Sequence, residues 1–196
     1  MNQESNWTDY YRITANDPPT KILVEGLSYL KNKGEALELG AGTPKDAKFL
    51  IANGFAVTAV DKEDQAKSLF EKIGSDKKLD FVQSSFEEFN YPDSYYDLVS
   101  AQRALPFLKN KKLLVRCFND IKRTLKTGGL FVGHFFGPHD TWCRENKEMA
   151  FVDRSEIEKL LEGLEIIKLS ETEEDSSTAN GTPHHWHVFG VIARKI

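Results

Sequence analysis

The stretch ALELGAGTPKDA, residues 36–47, decides the fold. An apolar strand, Ala36 to Leu39, broken only by Glu38, runs into two glycines, Gly40 and Gly42, and then into a helix from about Lys45 to Asn53 that Gly54 stops. Glycines between a strand and a helix let backbone approach a ligand closely, and the helix N-terminal amides face polar groups. Downstream, Phe55 to Val60 reads as a second strand and Glu63 to Ile73 as a helix, with Gly74 behind it. Leu79 to Gln83 then reads as a third strand. That βαβαβ order specifies a parallel sheet.

The alternation continues. Tyr96 to Ala101 is a fourth strand; Leu114, Phe118, Ile121 and Leu125 then recur at the spacing of one buried helix face, ended by Gly128 and Gly129. Leu130 to Phe136 is the fifth strand, and Asp153 with Glu156 is a capping pair opening a helix to Leu161. Two strand-like runs close the chain, Leu164 to Leu169 and Trp186 to Ala193, joined by a polar segment, Glu171 to Pro183, that reads as a hairpin connection. Upstream, Trp7, Tyr10, Tyr11 and Arg12 precede Asp17 and Pro18, a helix-opening pair, and a helix near Ile22 to Leu30. The expected fold is α/β, a Rossmann-like three-layer sandwich with a seven-stranded, mostly parallel sheet and an antiparallel C-terminal hairpin strand. Residues 1–196 are expected to form a single domain, with 1–30 an N-terminal lid or helix and 35–195 the core.

Composition narrows the classes. Hydrophobic residues at 40% and charged residues at 29% suit an ordinary globular protein. No apolar stretch approaches the ~20 residues that cross a bilayer, and the start MNQESNWTDYYR has no secretion-signal pattern, so a cytoplasmic protein is expected. Cys117 and Cys143 fit no metal-ligand spacing and read as reduced thiols. A net charge of -4 without a dense basic stripe argues against a nucleic-acid partner.

Asp61 ends the second strand nineteen positions after Gly42, where an acid can accept hydrogen bonds from both hydroxyls of a ribose. The alternative is an unliganded turn with Asp61 capping the next helix. A nicotinamide dinucleotide loop usually carries a third glycine, where this chain has Lys45, and Glu38 suits a cationic amino group better than a pyrophosphate.

From Glu35 to Lys195 the chain resembles the class I S-adenosylmethionine-dependent methyltransferases of small-molecule type, similar to the tellurite-resistance and thiopurine-like members. The resemblance rests on LELGAG, VTAVD, YDLVSAQ and LKTGGLFV, and on the terminal hairpin. It implies an enzyme that transfers a methyl group from S-adenosylmethionine to a small-molecule acceptor by in-line displacement. Gly40, Ala41 and Gly42 would line the cofactor, Asp61 would hold its ribose and Glu38 would support the loop or the ammonium group. Lys62, Ser85 and Phe86 would lie at the adenine and Gln102 at the methionine part, and the N-terminal segment would fold over the cofactor with Tyr11 or Arg12 at the methionine carboxylate; the alternative is that its aromatic residues pack against the first helix. Two positions depart from the family pattern: Pro44 replaces a frequent glycine, and Ser85 a frequent adenine-binding aspartate.

Methyl transfer from a sulfonium needs mainly positioning and exclusion of water, and the sequence shows no nucleophile–base constellation. Arg103, Phe107, His134, His139, Trp142, His185 and His187 are candidate acceptor-site residues, with His134 and His187 the candidates for catalysis. The order of the last strands is expected to bring four or five imidazoles around the acceptor pocket; the alternative is an edge strand with solvent-facing histidines and a core His134. Histidine clustering alone fixes neither ligand count nor geometry, so no metal is assigned. The expected partner is a small-molecule acceptor, with no nucleic acid or membrane, for a monomer or homodimer. The alternative function is a non-catalytic sensor or partner protein that binds S-adenosylmethionine or S-adenosylhomocysteine.

Overall fold

The computed structural model describes residues 3–73, 77–146 and 148–196; Gly74, expected to follow a helix, lies outside them. The core alternates β1 (Glu35–Leu39), α3 (Lys45–Ala52), β2 (Ala56–Asp61), α4 (Asp64–Glu71), β3 (Leu79–Gln83), β4 (Tyr96–Ala101), α5 (Lys111–Thr124) and β5 (Leu125–Phe136). Two helices precede it, α1 (Gln3–Thr14) and α2 (Lys21–Leu27). α6 (Thr141–Glu145), α7 (Arg154–Leu160), β6 (Leu164–Ser177) and β7 (Pro183–Lys195) follow. The sheet order is β3-β2-β1-β4-β5-β7-β6, parallel except for β7, which is antiparallel to both its neighbours.

Helices cover both faces, which makes the three layers. On one face Ile22 and Leu23 of α2, Ala47 and Leu50 of α3 and Phe70 of α4 pack on Ala36, Leu98, Leu130, Val132 and Ile192. On the other, Leu114, Phe118 and Ile121 of α5 and Ile157 of α7 pack on Leu37, Val99, Phe131 and Phe189. Neighbours two apart along each strand share a face, so strand parity decides which layer a side chain joins.

Three boundaries differ from the sequence reading. Leu125 pairs with Tyr96 as the first residue of β5 rather than closing the helix face, and the register then shifts so that Leu130 pairs with Leu98. Gly128 and Gly129 lie in this irregular stretch; a Cβ at Gly129 would sit within 3.1 Å of three carbonyl oxygens. The polar segment after Glu171 is not a loop, because β6 runs to Ser177 and β7 begins at Pro183. Acid faces histidine across that ladder, Glu173 opposite His187 and Asp175 opposite His185, and such cross-strand pairs supply attraction where apolar burial is missing. Finally, α2 opens at Thr20 rather than at Asp17 and Pro18. Asp46 accepts the Thr20 amide and hydroxyl at 2.8 and 2.7 Å, fixing that helix start to α3.

Candidate active site

The carboxyl ends of β1, β2, β4 and β5 form one edge. Gly40 and Gly42 adopt φ of +68° and +51°, a region L-residues other than glycine rarely enter. The Gly40 and Ala41 amides both donate to the Val60 carbonyl, holding the turn against β2. A Cβ at Gly40 would lie 2.4 Å from that of Ala104 and 3.3 Å from Phe86 Cζ, so the segment after β4 and the Phe86 ring close over this glycine. Pro44 precedes α3 with φ of −75°, an angle its ring prefers, and the helix opens undisturbed.

Asp61 is buried, and each of its oxygens holds one amide: Oδ2 accepts Gly42 N–H and Oδ1 accepts Glu63 N–H, both at 2.9 Å. Burial pushes its carboxyl above the usual range against the pull of those amides. Each oxygen keeps a second lone pair for a ligand hydroxyl. Lys62 is exposed, its ammonium 3.8 Å from Glu63, while Ser84 donates to the Ser85 carbonyl and the Glu88 and Phe89 amides converge on the same oxygen.

Three polar side chains line one face of this edge with an unmet hydrogen-bonding atom. Glu38 Oε2 at the end of β1, Gln102 Oε1 just beyond β4 and His134 Nδ1 on β5 are enclosed and without a hydrogen-bond partner among the described residues. Parity places all three on the α2 face: Glu38 follows Ala36, Gln102 bonds Ser100 Oγ and the Val132 carbonyl through Nε2 at 3.0 and 3.1 Å, and His134 follows Val132. Burial first, then Asp46 and Asp61, pushes the Glu38 carboxyl well above the carboxylate range. His134 is half-buried as a residue, yet burial around its ring, followed by the Arg103 charge, holds the imidazole neutral, lowered to about 3. Native proteins rarely leave buried polar atoms unpaired, so three together on one edge call for an explanation.

Above the edge, α1 lays Tyr11 over the glycine turn; a Cβ on Gly42 would meet its ring at 3.0 Å. Burial, then Asp61 and Glu63, raises the Tyr11 phenol. Trp7 stacks on Tyr11 and meets Phe107, which contacts Phe136 and Trp142 in turn. Arg103, held at φ +55°, places its guanidinium 5.1 Å over Trp186.

The expected rim of imidazoles is not assembled. His134 pairs with Gly190, three residues from His187, so the two histidines fall on opposite faces and ~10 Å apart along the strand. His187 clamps the turn after β5: its carbonyl accepts Gly137 N–H at 2.7 Å and its Nδ1 accepts His139 N–H at 3.2 Å. A Cβ at Gly137 would stand 2.2 Å from that ring, which is why a glycine sits there. His139 and His185 are on the hairpin's outer surface against Glu173 and Asp175. Hydrogen bonds from His139 and His185 lower the Glu173 carboxyl, and Asp175 with Glu173 raises the His185 imidazole.

Sequence reasoning missed Asp140 and its pairing with His184. Fully buried Asp140 caps α6 through Trp142 N–H, accepts His187 N–H and meets His184 Nε2 at 2.9 Å, with Trp142 and Trp186 against the His184 ring. The capping position of Asp140 before Thr141 was the available signal.

Residues 37–133 match the family model described as a methyltransferase domain. Over 121 residues the chain is 30% identical to malonyl-[acyl-carrier protein] O-methyltransferase 2 of Ilyobacter polytropus, covering 60% of this chain and 44% of that protein. The chain spans about half the length of the curated relatives it matches. Among solved structures, an S-adenosylmethionine-dependent methyltransferase of Methanosarcina mazei superposes with a TM-score of 0.69 at 21% identity, covering 91% of this chain and 99% of that one. TehB of Haemophilus influenzae superposes with a TM-score of 0.74 at 16% identity, covering 97% and 67%. Residues 37–133 are thus a domain of the methyltransferase family, and the sheet order with antiparallel β7 is the fold of its class I S-adenosylmethionine-dependent members.

Proposed function

We propose that this chain is an enzyme that binds S-adenosylmethionine at the carboxyl edge of β1, β2 and β4 and transfers its methyl group to a small-molecule acceptor. The observation that carries the reading is the row of unmet hydrogen-bonding atoms, Glu38 Oε2 and Gln102 Oε1 with His134 Nδ1, beside a positive-φ glycine turn and the buried Asp61. Their chemistry fits the cofactor. A carboxyl in the Glu38 position takes an ammonium group, Asp61 takes ribose hydroxyls, and Gly40 and Gly42 put no Cβ of their own between backbone and ligand. When bound, the sulfonium supplies an activated methyl group. The chain then has to orient the acceptor and exclude water, and α1 with Tyr11 and Trp7 is placed to cover the turn.

His134, neutral and with Nδ1 unengaged, accepts a hydrogen bond from the methyl acceptor; so low a basicity suits orientation more than proton removal. Arg103, Phe107, Trp142 and Trp186 form the acceptor-side wall. His139, His185 and His187 stand on the other side of the sheet from His134, engaged with the hairpin acids and the turn after β5. We read residues 1–196 as one unit, acting in the cytoplasm as a monomer or homodimer without nucleic acid. No described helix is long and apolar enough to cross a membrane.

Isothermal titration with S-adenosylmethionine, S-adenosylhomocysteine and NAD tests the cofactor, and release of S-adenosylhomocysteine against a panel of alcohols, amines and thiols tests transfer. Saturable binding of the first two, with turnover, is the expected result. Binding of NAD alone refutes the reading of the turn, and binding without turnover on any acceptor favours the sensor.

A further inference from the structure

The β6–β7 hairpin and the turn after β5, on the sheet face opposite His134, gather groups that the proposed methyl transfer does not use. Glu171, Glu173 and Asp175 of β6 share one face, and His185 and His187 of β7 stand on the same side, opposite Asp175 and Glu173. His139, from the turn after β5, stacks on His187 with ring centroids 4.9 Å apart. Three imidazole nitrogens therefore surround one carboxylate: His139 Nδ1 lies 3.1 Å and His187 Nε2 3.9 Å from Glu173 Oε1, and His185 Nε2 lies 3.3 Å from Oε2. The ligand atoms of His139, Glu173 and His187 all lie within 4.8 Å of one another.

The His139 and His185 spacings to Glu173 are those of a coordination sphere, and His187 at 3.9 Å has to move inward by about half an ångström to join it. Zinc bonds to imidazole nitrogen and carboxylate oxygen are ~2.0–2.1 Å, which puts tetrahedral ligand atoms about 3.3 Å apart. Two nitrogens, or three with His185, plus one carboxylate are a borderline donor set that suits Zn2+, Co2+ or Ni2+ and not the all-oxygen preference of Mg2+ or Ca2+. His185 carries the outer partner usual for a metal histidine, because Asp175 Oδ1 holds its Nδ1 at 2.8 Å and turns Nε2 toward Glu173. His187 Nδ1 accepts the His139 amide, which leaves the ring proton on Nε2 facing Glu171 at 3.1 Å. Ligation by His187 therefore moves that proton to Nδ1 and gives up the amide contact. A cleft of about 390 Å³ lined by His139, Thr141, Arg144, Glu145 and His185 opens beside the cluster and leaves it accessible to an ion.

We propose that His139, Glu173 and His187, joined by His185, form a binding site for a divalent transition-metal ion that ties the turn after β5 to the terminal hairpin. The partners come from three separate segments, so occupancy cross-links β6, β7 and the turn leading into α6.

The test is titration of tag-free full-length protein with ZnCl2 at pH 8 in a non-chelating buffer, followed by isothermal calorimetry and thermal unfolding, with CoCl2 as a spectroscopic probe. The expected result is one saturable equivalent of Zn2+, a raised melting temperature reversed by EDTA, and visible cobalt bands of four-coordinate intensity. His139→Ala and Glu173→Gln, both at exposed side chains, each weaken Zn2+ by about tenfold or more while far-UV circular dichroism stays unchanged. No saturable binding in the wild type, or undiminished affinity in both variants, overturns the site. S-adenosylmethionine affinity, read separately, stays the same in these variants, so the metal site and the proposed function fail or stand independently.

Discussion

Replacing Glu38 by Gln should change stability and cofactor affinity in opposite directions. The Glu38 carboxyl is buried with Oε2 unpartnered, and burial together with Asp46 and Asp61 raises its pKa. The folded protein therefore holds this proton more tightly than the unfolded chain does. Above the ordinary carboxylate range the folded state binds more protons than the unfolded one, so this group makes stability fall as pH rises toward the raised value. Glutamine removes that slope. An uncharged side chain of the same shape should gain about 1 kcal/mol in the ligand-free protein at pH 8, within the range found when strained functional groups are relieved. For a chain of this size that is roughly 2–4 °C in melting temperature, and the gain shrinks toward pH 5. The same change removes a charge-assisted bond to a ligand ammonium, worth about 1.5–3 kcal/mol, or roughly a 10- to 150-fold rise in Kd for S-adenosylmethionine. Thermal melts at pH 5, 6 and 8 without ligand, paired with calorimetric titration, read both quantities. A variant that is less stable without ligand, or that binds S-adenosylmethionine as well as the wild type, would refute the assignment of Glu38 as a carboxyl held ready for a cation.

Three further outcomes follow from the same edge. Gly40→Ala meets Ala104 at 2.4 Å and takes a left-handed φ, so it should lose about 1–2 kcal/mol to conformation and another ~1–3 to overlap. Gly54→Ala, at φ +100° with only Lys33 at 3.8 Å, should lose the conformational part alone, and urea unfolding of both variants separates the two contributions. Asp61→Ala should weaken S-adenosylmethionine by ~1–3 kcal/mol and also lower the melting temperature, because the Gly42 and Glu63 amides lose their acceptor; a variant of wild-type stability would show that those bonds are dispensable. His134 has its pKa lowered to about 3, so the unfolded state takes the proton first and its contribution to stability is lost as pH falls below about 6.5, amounting to roughly 1–2 kcal/mol by pH 5. His134→Gln should flatten that part of the acid limb, and an unchanged stability profile between pH 7 and 5 would show that the imidazole is already protonated in the fold.

The strand–glycine–helix unit and the alternation after it were legible because each element carries its own period: Leu37, Leu39, Val57 and Val60 are strand positions wherever the rest of the chain goes. Leu125 was not, since a leucine one turn after Ile121 fits a helix face as well as a strand start, and only pairing with Tyr96 decides between them. The polar ETEEDSS run was read as a loop because hydrophobic periodicity is blind to a ladder held by acids facing histidines. The glycines and Asp61 were legible as a turn and an acid, but not the fact that Asp61 already holds two amides, which comes from how closely the turn packs on β2.

The histidines show where chain order stops being sufficient. Adjacency of β5 and β7 is what the family resemblance implies, yet the face each imidazole occupies depends on register to the single residue. His134 opposite Gly190 places His187 behind the sheet, and the same register places Glu173 and Asp175 beside His187 and His185. One register thus sorts five histidines into three chemical settings: a neutral acceptor at the carboxyl edge, a buried partner of Asp140, and a surface cluster around Glu173. The first leaves hydrogen-bonding capacity unmet and the other two use it. A ligand that pairs with this edge therefore stabilises the fold by RT ln(1 + [L]/Kd), and does so where Glu38, Gln102 and His134 hold unmet hydrogen-bonding atoms.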